Sequence, residues 1–173
     1  MGISALYPEA ILKTATVQTR TQAIYSAAAQ GVVAMSSELD LSVTVPSGTS
    51  KIGLNWNVYG EEASGAAHGF IVYKDIDGGG YNLLAASRDG SANYWSITAR
   101  PSYDTDYTTT ANNTVVSIYD TSPDVGSVVT YRLYLASIRS ATATNFYWNR
   151  CGGSTGAAFQ PSGSSSGELI CYA

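Results

Sequence analysis

Residues 39–45 (LDLSVTV) alternate apolar and polar side chains without a break, and residues 51–59 (KIGLNWNVY) alternate again after a turn at residues 46–50 (PSGTS). Successive side chains of an extended strand point to opposite faces. This pattern therefore places Leu39, Leu41, Val43 and Val45 on one dry face, and Ile52, Leu54, Trp56 and Val58 on another. A chain patterned this way has to build sheets with one wet and one buried side. Two such strands joined by a short turn predict an antiparallel hairpin.

The remaining sequence repeats the theme. Residues 70–74 (FIVYK) read as a strand closed by a Gly-rich turn at 75–80 (DIDGGG), with residues 81–85 returning as its partner. Residues 14–21 predict an edge strand, and residues 94–99 and 114–119 two more. Residues 127–138 form a long one, with Val129, Tyr131, Leu133 and Leu135 on one face and Thr130, Arg132 and Tyr134 on the other. Residues 145–149 and 168–172 complete the set, and the last is expected inside a sheet because paired termini are the ordered ones. Residues 23–30 (AIYSAAAQ) are the one helix-compatible stretch, short enough to be a loop running into a strand instead. Many short strands at this spacing predict an all-β sandwich. We divide it into an N-terminal arm, residues 1–12, and a single domain, residues 13–173.

Composition agrees and narrows the function. Charged residues are 13% of the 173, against about 25% in an average domain, and β-branched and aromatic residues suit sheets. The nine Lys and Arg are scattered and the net charge is -4, so no basic stripe offers a surface for nucleic acid. No apolar run approaches the roughly 20 residues of a membrane span. Residues 1–9 (MGISALYPE) lack the basic and apolar regions of a secretory signal, so the expectation is synthesis and folding in the cytoplasm of the producing cell.

Candidate chemistry is sparse. His68, the sole histidine, falls in a Gly/Ala stretch (GAAHG) and has no second histidine or nucleophile elbow to work with, which predicts an exposed loop residue. Asp75 and Asp77 resemble the start of a calcium loop, but the twelfth position is Ala86, where such a loop needs Glu. A hairpin turn is the plainer reading. Asp104 and Asp106, beside Tyr103 and Tyr107, could meet an ion or a sugar, or lie in a solvated loop. No two carboxylates are placed by the sequence to flank a glycosidic bond. We therefore expect no catalytic residue, metal or cofactor. Cys151 and Cys171 are spaced for no metal motif, and could form one disulfide or remain buried thiols.

Other side chains invite contact with partners. Ile3, Leu6, Tyr7, Ile11 and Leu12 make the arm apolar, as expected of a segment that docks on its own body or on a neighbour. Thirteen tyrosines are available for interfaces. Among them Tyr59, Tyr73 and Tyr134 fall opposite the apolar runs of their strands, where a partner or plain solvent could cover them. Tyr81, Tyr94, Trp95, Tyr103 and Tyr107 lie in or near loops that could grip a glycan.

The order of features resembles a widespread family of tailed-phage structural domains. Residues 45–52 (VPSGTSKI) are similar to its PSSTSSKI turn, and a strand with a central Phe and a basic end follows at residues 70–74. An Asp-Pro loop comes next (120–123), then a TTYKV-like strand (TYRL, 130–133), a YINR-like strand (YWNR, 147–150) and a Ser-rich loop. The final strand is like STITLMEI, with Cys171 and Tyr172 where apolar or acidic residues are usual. The resemblance spans roughly residues 13–173. It implies a jelly-roll-like sandwich, often trimeric, in capsid decoration, head-fibre and tail-fibre proteins. The expected function is a virion structural protein, a homotrimer contacting the major capsid protein or another virion protein. The alternative is a tail-fibre module that binds a host glycan. A chain starting at Met1 with no long shaft favours the compact capsid role.

Overall fold

The computed structural model describes residues 10–28, 31–62, 68–84, 98–99, 111–137, 144–150 and 163–173. The strands are β1 (Ile11–Thr19), β2 (Ala23–Ala27), β3 (Val32–Ala34), β4 (Leu41–Thr44), β5 (Lys51–Glu62), β6 (His68–Ile76), β7 (Asn82–Leu83), β8 (Thr98–Ala99), β9 (Asn112–Asp120), β10 (Val128–Ser137), β11 (Thr144–Trp148) and β12 (Ser165–Tyr172), with a 3-10 turn at Ser37–Leu39. Every pairing among them is antiparallel. Two sheets pack face to face as a β-sandwich.

Several strands are halves of one longer path. β12 and β11 pair with consecutive stretches of β5, and β1 and β2 pair with β12 and β11 in turn. The first sheet is therefore β1/β2, β12/β11, β5, β9. In the second, β4 and β3 share one side of β10, and β7 and β8 share one side of β6. That sheet runs β4/β3, β10, β6, β7/β8. Numbered along the chain as eight paths, the sheets are 1-8-3-6 and 2-7-4-5, the order of a jelly roll.

The alternation in the sequence supplies the core. Leu41, Val43, Tyr131, Leu133, Leu135, Phe70 and Val72 come from the second sheet, and Ile52, Leu54, Trp56, Val58, Val116, Leu169 and Trp148 from the first. The expected hairpin of residues 39–45 and 51–59 does not form. β4 pairs with β10 and β5 with β9, β11 and β12. Both strands do turn their apolar faces inward, but towards each other across the core, so the turn at 46–50 is an arch between sheets. Alternation sets which side is buried and leaves the hydrogen-bonding partner open.

Three other expectations change. Residues 23–27 are strand β2, because Ala23, Tyr25 and Ala27 face the core at period two and Tyr25 meets Trp148 at 6.0 Å. Ile11 and Leu12 belong to β1, not to the arm: Ile11 pairs with Tyr172 past a bulge. His68 is buried rather than exposed. It opens β6 on the same parity as Phe70 and Val72, edge-on to Phe146 at 6.3 Å, with Nδ1 3.8 Å from Glu62 Oε1. Residues 128–137 and 165–172 match the expected long strand and terminal strand, and β12 does lie inside its sheet.

Asn149 holds the break between β11 and β12. It is buried with φ 56°, and its Nδ2 donates to Thr21 O at 2.9 Å across the matching break between β1 and β2. Its Oδ1 accepts from Ser165 Oγ at 2.7 Å, and that hydroxyl in turn accepts from Trp148 Nε1. We expect Asn149→Ala to lower unfolding free energy by about 2 kcal/mol, from lost buried hydrogen bonds and a left-handed backbone that alanine disfavours. Urea denaturation of the two chains would measure it.

Candidate binding surface

Three polar constellations stand out among the described residues, and two of them are held together by their own hydrogen bonds and ion pairs. At one end of the core, Asp120 accepts from Lys74 Nζ at 2.8 Å, Tyr131 OH at 2.7 Å and Ser122 N at 2.9 Å, and Lys74 also meets Asp124 at 2.6 Å. Burial alone would raise Asp120, but these donors outweigh it and hold its carboxyl below the ordinary value. Burial likewise works against the Lys74 cation, and the two aspartates reverse it, moving Lys74 upward. Burial and the neighbouring Asp120 charge push Tyr131 upward. These bonds tie β6 and β10 of the second sheet to the end of β9 in the first.

The outer face of the second sheet carries Tyr73, Tyr81, Arg132 and Tyr134. Tyr73 and Tyr134 stack at 4.0 Å, and the Arg132 guanidinium sits 4.4 Å from the Tyr81 ring centre. Arg132 makes a two-pronged pair with Asp40 at 2.8 and 2.5 Å, and Tyr81 OH donates to the same carboxylate at 3.1 Å. Burial and then the Asp40 charge push Tyr81 up to about 12. Tyr81 is one of the residues that could grip a glycan, and its hydroxyl is committed to this cluster. Tyr59 is covered from within as well, since a Cβ on Gly163 would fall 2.4 Å from its ring.

The third constellation is open. On the outer face of the first sheet, cross-strand register sets Gln18, Ser166, Asn57 and Val115 on one rung, and Thr16, Glu168, Asn55 and Ser117 on the next. A third rung is Thr14, Ile170, Gly53 and Tyr119, beyond which Tyr172 pairs with Lys51. Two shallow depressions of about 400 and 170 Å³ lie on these rungs and share Asn55 and Glu168. Tyr119 and Tyr172 lean over Gly53 from both sides: a Cβ there would meet their ring carbons at 3.3 and 3.0 Å. Lys51 Nζ lies 5.0 and 5.4 Å from the two ring centres and holds the rings as a pair.

Sequence reasoning missed this surface. Its residues are the wet half of correctly read strands, but they meet only because β5 lies between β12 and β9, whereas the hairpin reading set it beside β4. Of the other candidates, Ile3, Leu6, Tyr7, Tyr94, Trp95, Tyr103, Asp104, Asp106, Tyr107 and Cys151 lie outside the described residues. Cys171 is a buried free thiol on the core face of β12, pushed upward by that burial. Asp75 and Asp77 cap the hairpin turn through Gly80 N at 3.1 Å and Val128 N at 2.8 Å. The chain matches no known protein-family model, and no curated protein matches it.

Proposed function

We propose that this chain is a structural domain on the outside of a tailed-phage particle, a homotrimeric capsid decoration or head-fibre protein without catalytic activity. The order of sequence motifs supports the reading, and a jelly roll is the fold that resemblance implies. The observation that carries it is the placing of exposed apolar side chains. Of the nine large exposed ones among the described residues, Ile11, Leu12, Ile76, Val125 and Val128 sit at the end of the sandwich where residue 10 enters. Backbone hydrogen bonds tie that end together: Ala173 N to Ala10 O, Ser50 N to Tyr172 O, Gly126 N to Val45 O and Asp77 N to Val128 O. Apolar groups collected at one end, continuous with an apolar N-terminal segment, suit attachment to a larger body. Threefold repetition would multiply each modest contact.

The test compares the full chain with a chain lacking residues 1–9, a cut that spares β1. The expected result is a trimer mass by sedimentation equilibrium for the full chain. The shortened chain should keep its far-ultraviolet spectrum and lose binding to particles of the phage that encodes it. A monomer, or undiminished binding after the cut, would remove the reading.

A further inference from the structure

We infer that the outer face of the first sheet is a carbohydrate-binding groove for an unbranched, uncharged oligosaccharide laid across β1, β12, β5 and β9. This does not rest on the particle reading. Strand alternation sends every second side chain of four neighbouring strands to this face, and the middle rung, Thr16, Glu168, Asn55 and Ser117, is polar from edge to edge. Asn55, Asn57 and Glu168 are exposed, and their side chains hold no hydrogen bond to another described side chain. Sugar hydroxyls both donate and accept. Amides and hydroxyls answer both needs, and a carboxylate accepts from two hydroxyls at once.

The aromatic element is in the right place beside these groups. Gly53 removes a side chain from the third rung, and Tyr119 and Tyr172 close over the gap, giving ring surface at the level of the polar rungs. The C–H faces of a pyranose stack on such rings, while its equatorial hydroxyls reach sideways to Asn55 and Glu168. Neighbouring strands are about 4.8 Å apart, close to the advance per ring of an extended pyranose chain, so successive sugars meet successive strands. Charge decides the ligand's class. Among the described residues, the three rungs and the Tyr172–Lys51 pair beyond them carry one carboxylate, Glu168, and one ammonium, Lys51, the latter engaged over two rings. No cluster of cations is present on these rungs to repay the desolvation of a polyanion.

The experiment titrates the isotope-labelled full chain with cellohexaose, maltohexaose, xylohexaose, chitohexaose and a heparin hexasaccharide, following backbone amide shifts. At least one neutral sugar should give saturable shifts at residues 16–18, 53–57, 115–119 and 166–172, with a Kd on the order of 0.1–1 mM. Tyr119→Ala and Asn55→Ala, both at exposed positions, should each weaken binding by about tenfold. Thr130→Ala, on the outer face of the other sheet, should leave it unchanged. Four outcomes overturn the inference: no saturable shift with any neutral sugar, shifts confined to other residues, a Kd untouched by the first two variants, or tighter binding of the heparin fragment.

Discussion

Asp120→Ala is expected to destabilise the fold by about 3 kcal/mol and to lower Tm by roughly 10 °C. The carboxylate takes hydrogen bonds from Lys74, Tyr131 and Ser122 N, so its removal leaves a buried phenol without an acceptor and halves the negative charge around Lys74. The cost stays below that of breaking a fully enclosed pair because the Lys74 side chain keeps 14% exposure and Asp124 remains. The pH dependence has a definite sign. Asp120 has a folded pKa held below the ordinary 3.8, so its contribution is complete above that value and disappears as pH falls through the lower folded value. Lys74 is shifted up from 10.5, so its contribution is present below 10.5 and fades as pH rises through the higher folded value. Guanidinium titrations at several pH values should show the gap between wild type and Asp120→Ala constant through neutrality and narrowing below about pH 4. A gap unchanged at acid pH would show that the carboxylate's charge contributes nothing.

Trp56→Ala should be costlier still, about 5 kcal/mol, a loss comparable with the whole stability of many domains of this size. Trp56 is fully buried at the centre of β5, and its Nε1 donates to Leu39 O at 2.9 Å, tying the first sheet to the turn that leads into the second. Gly167 presses on the same ring: a Cβ there would meet Cδ1 at 2.7 Å. Alanine leaves a cavity and an unpaired carbonyl together. Trp56→Phe separates the two effects, since it keeps most of the volume and loses only the hydrogen bond, and it should recover more than half of the loss. Calorimetry of the three chains would rank them, and an alanine variant as stable as the phenylalanine one would contradict the packing argument.

Burial was largely legible from the sequence and pairing was not. Period two put Leu41, Val43, Ile52, Leu54, Trp56, Val129 and Leu133 inside, as found. It could not say that β4 and β5 belong to different sheets, because an arch and a hairpin bury the same side chains. The same parity, carried two residues back from Phe70, would have placed His68 inside, but the small residues around it read as a loop. Residues 23–30 were compatible with a helix or with a loop running into a strand because alanine suits a helix, and the packing of Tyr25 against Trp148 decides for a strand over residues 23–27. The open face of the first sheet was hidden for a related reason. Glu168, Asn55 and Ser117 are far apart in the chain, and only long-range register makes them one row.

The paired interruptions at Asn149 have a further consequence. Asn149 and Gly163 lie side by side, the Gly163 N–H reaching Asn149 O at 3.3 Å, so the residues between them in the chain start and finish at the same point of the sheet. Closure entropy grows only slowly with the number of residues enclosed. Foreign sequence could therefore be spliced in between them, or residues deleted, while the strands on either side keep their register, which makes this junction the natural port for grafting new specificities onto an unchanged scaffold.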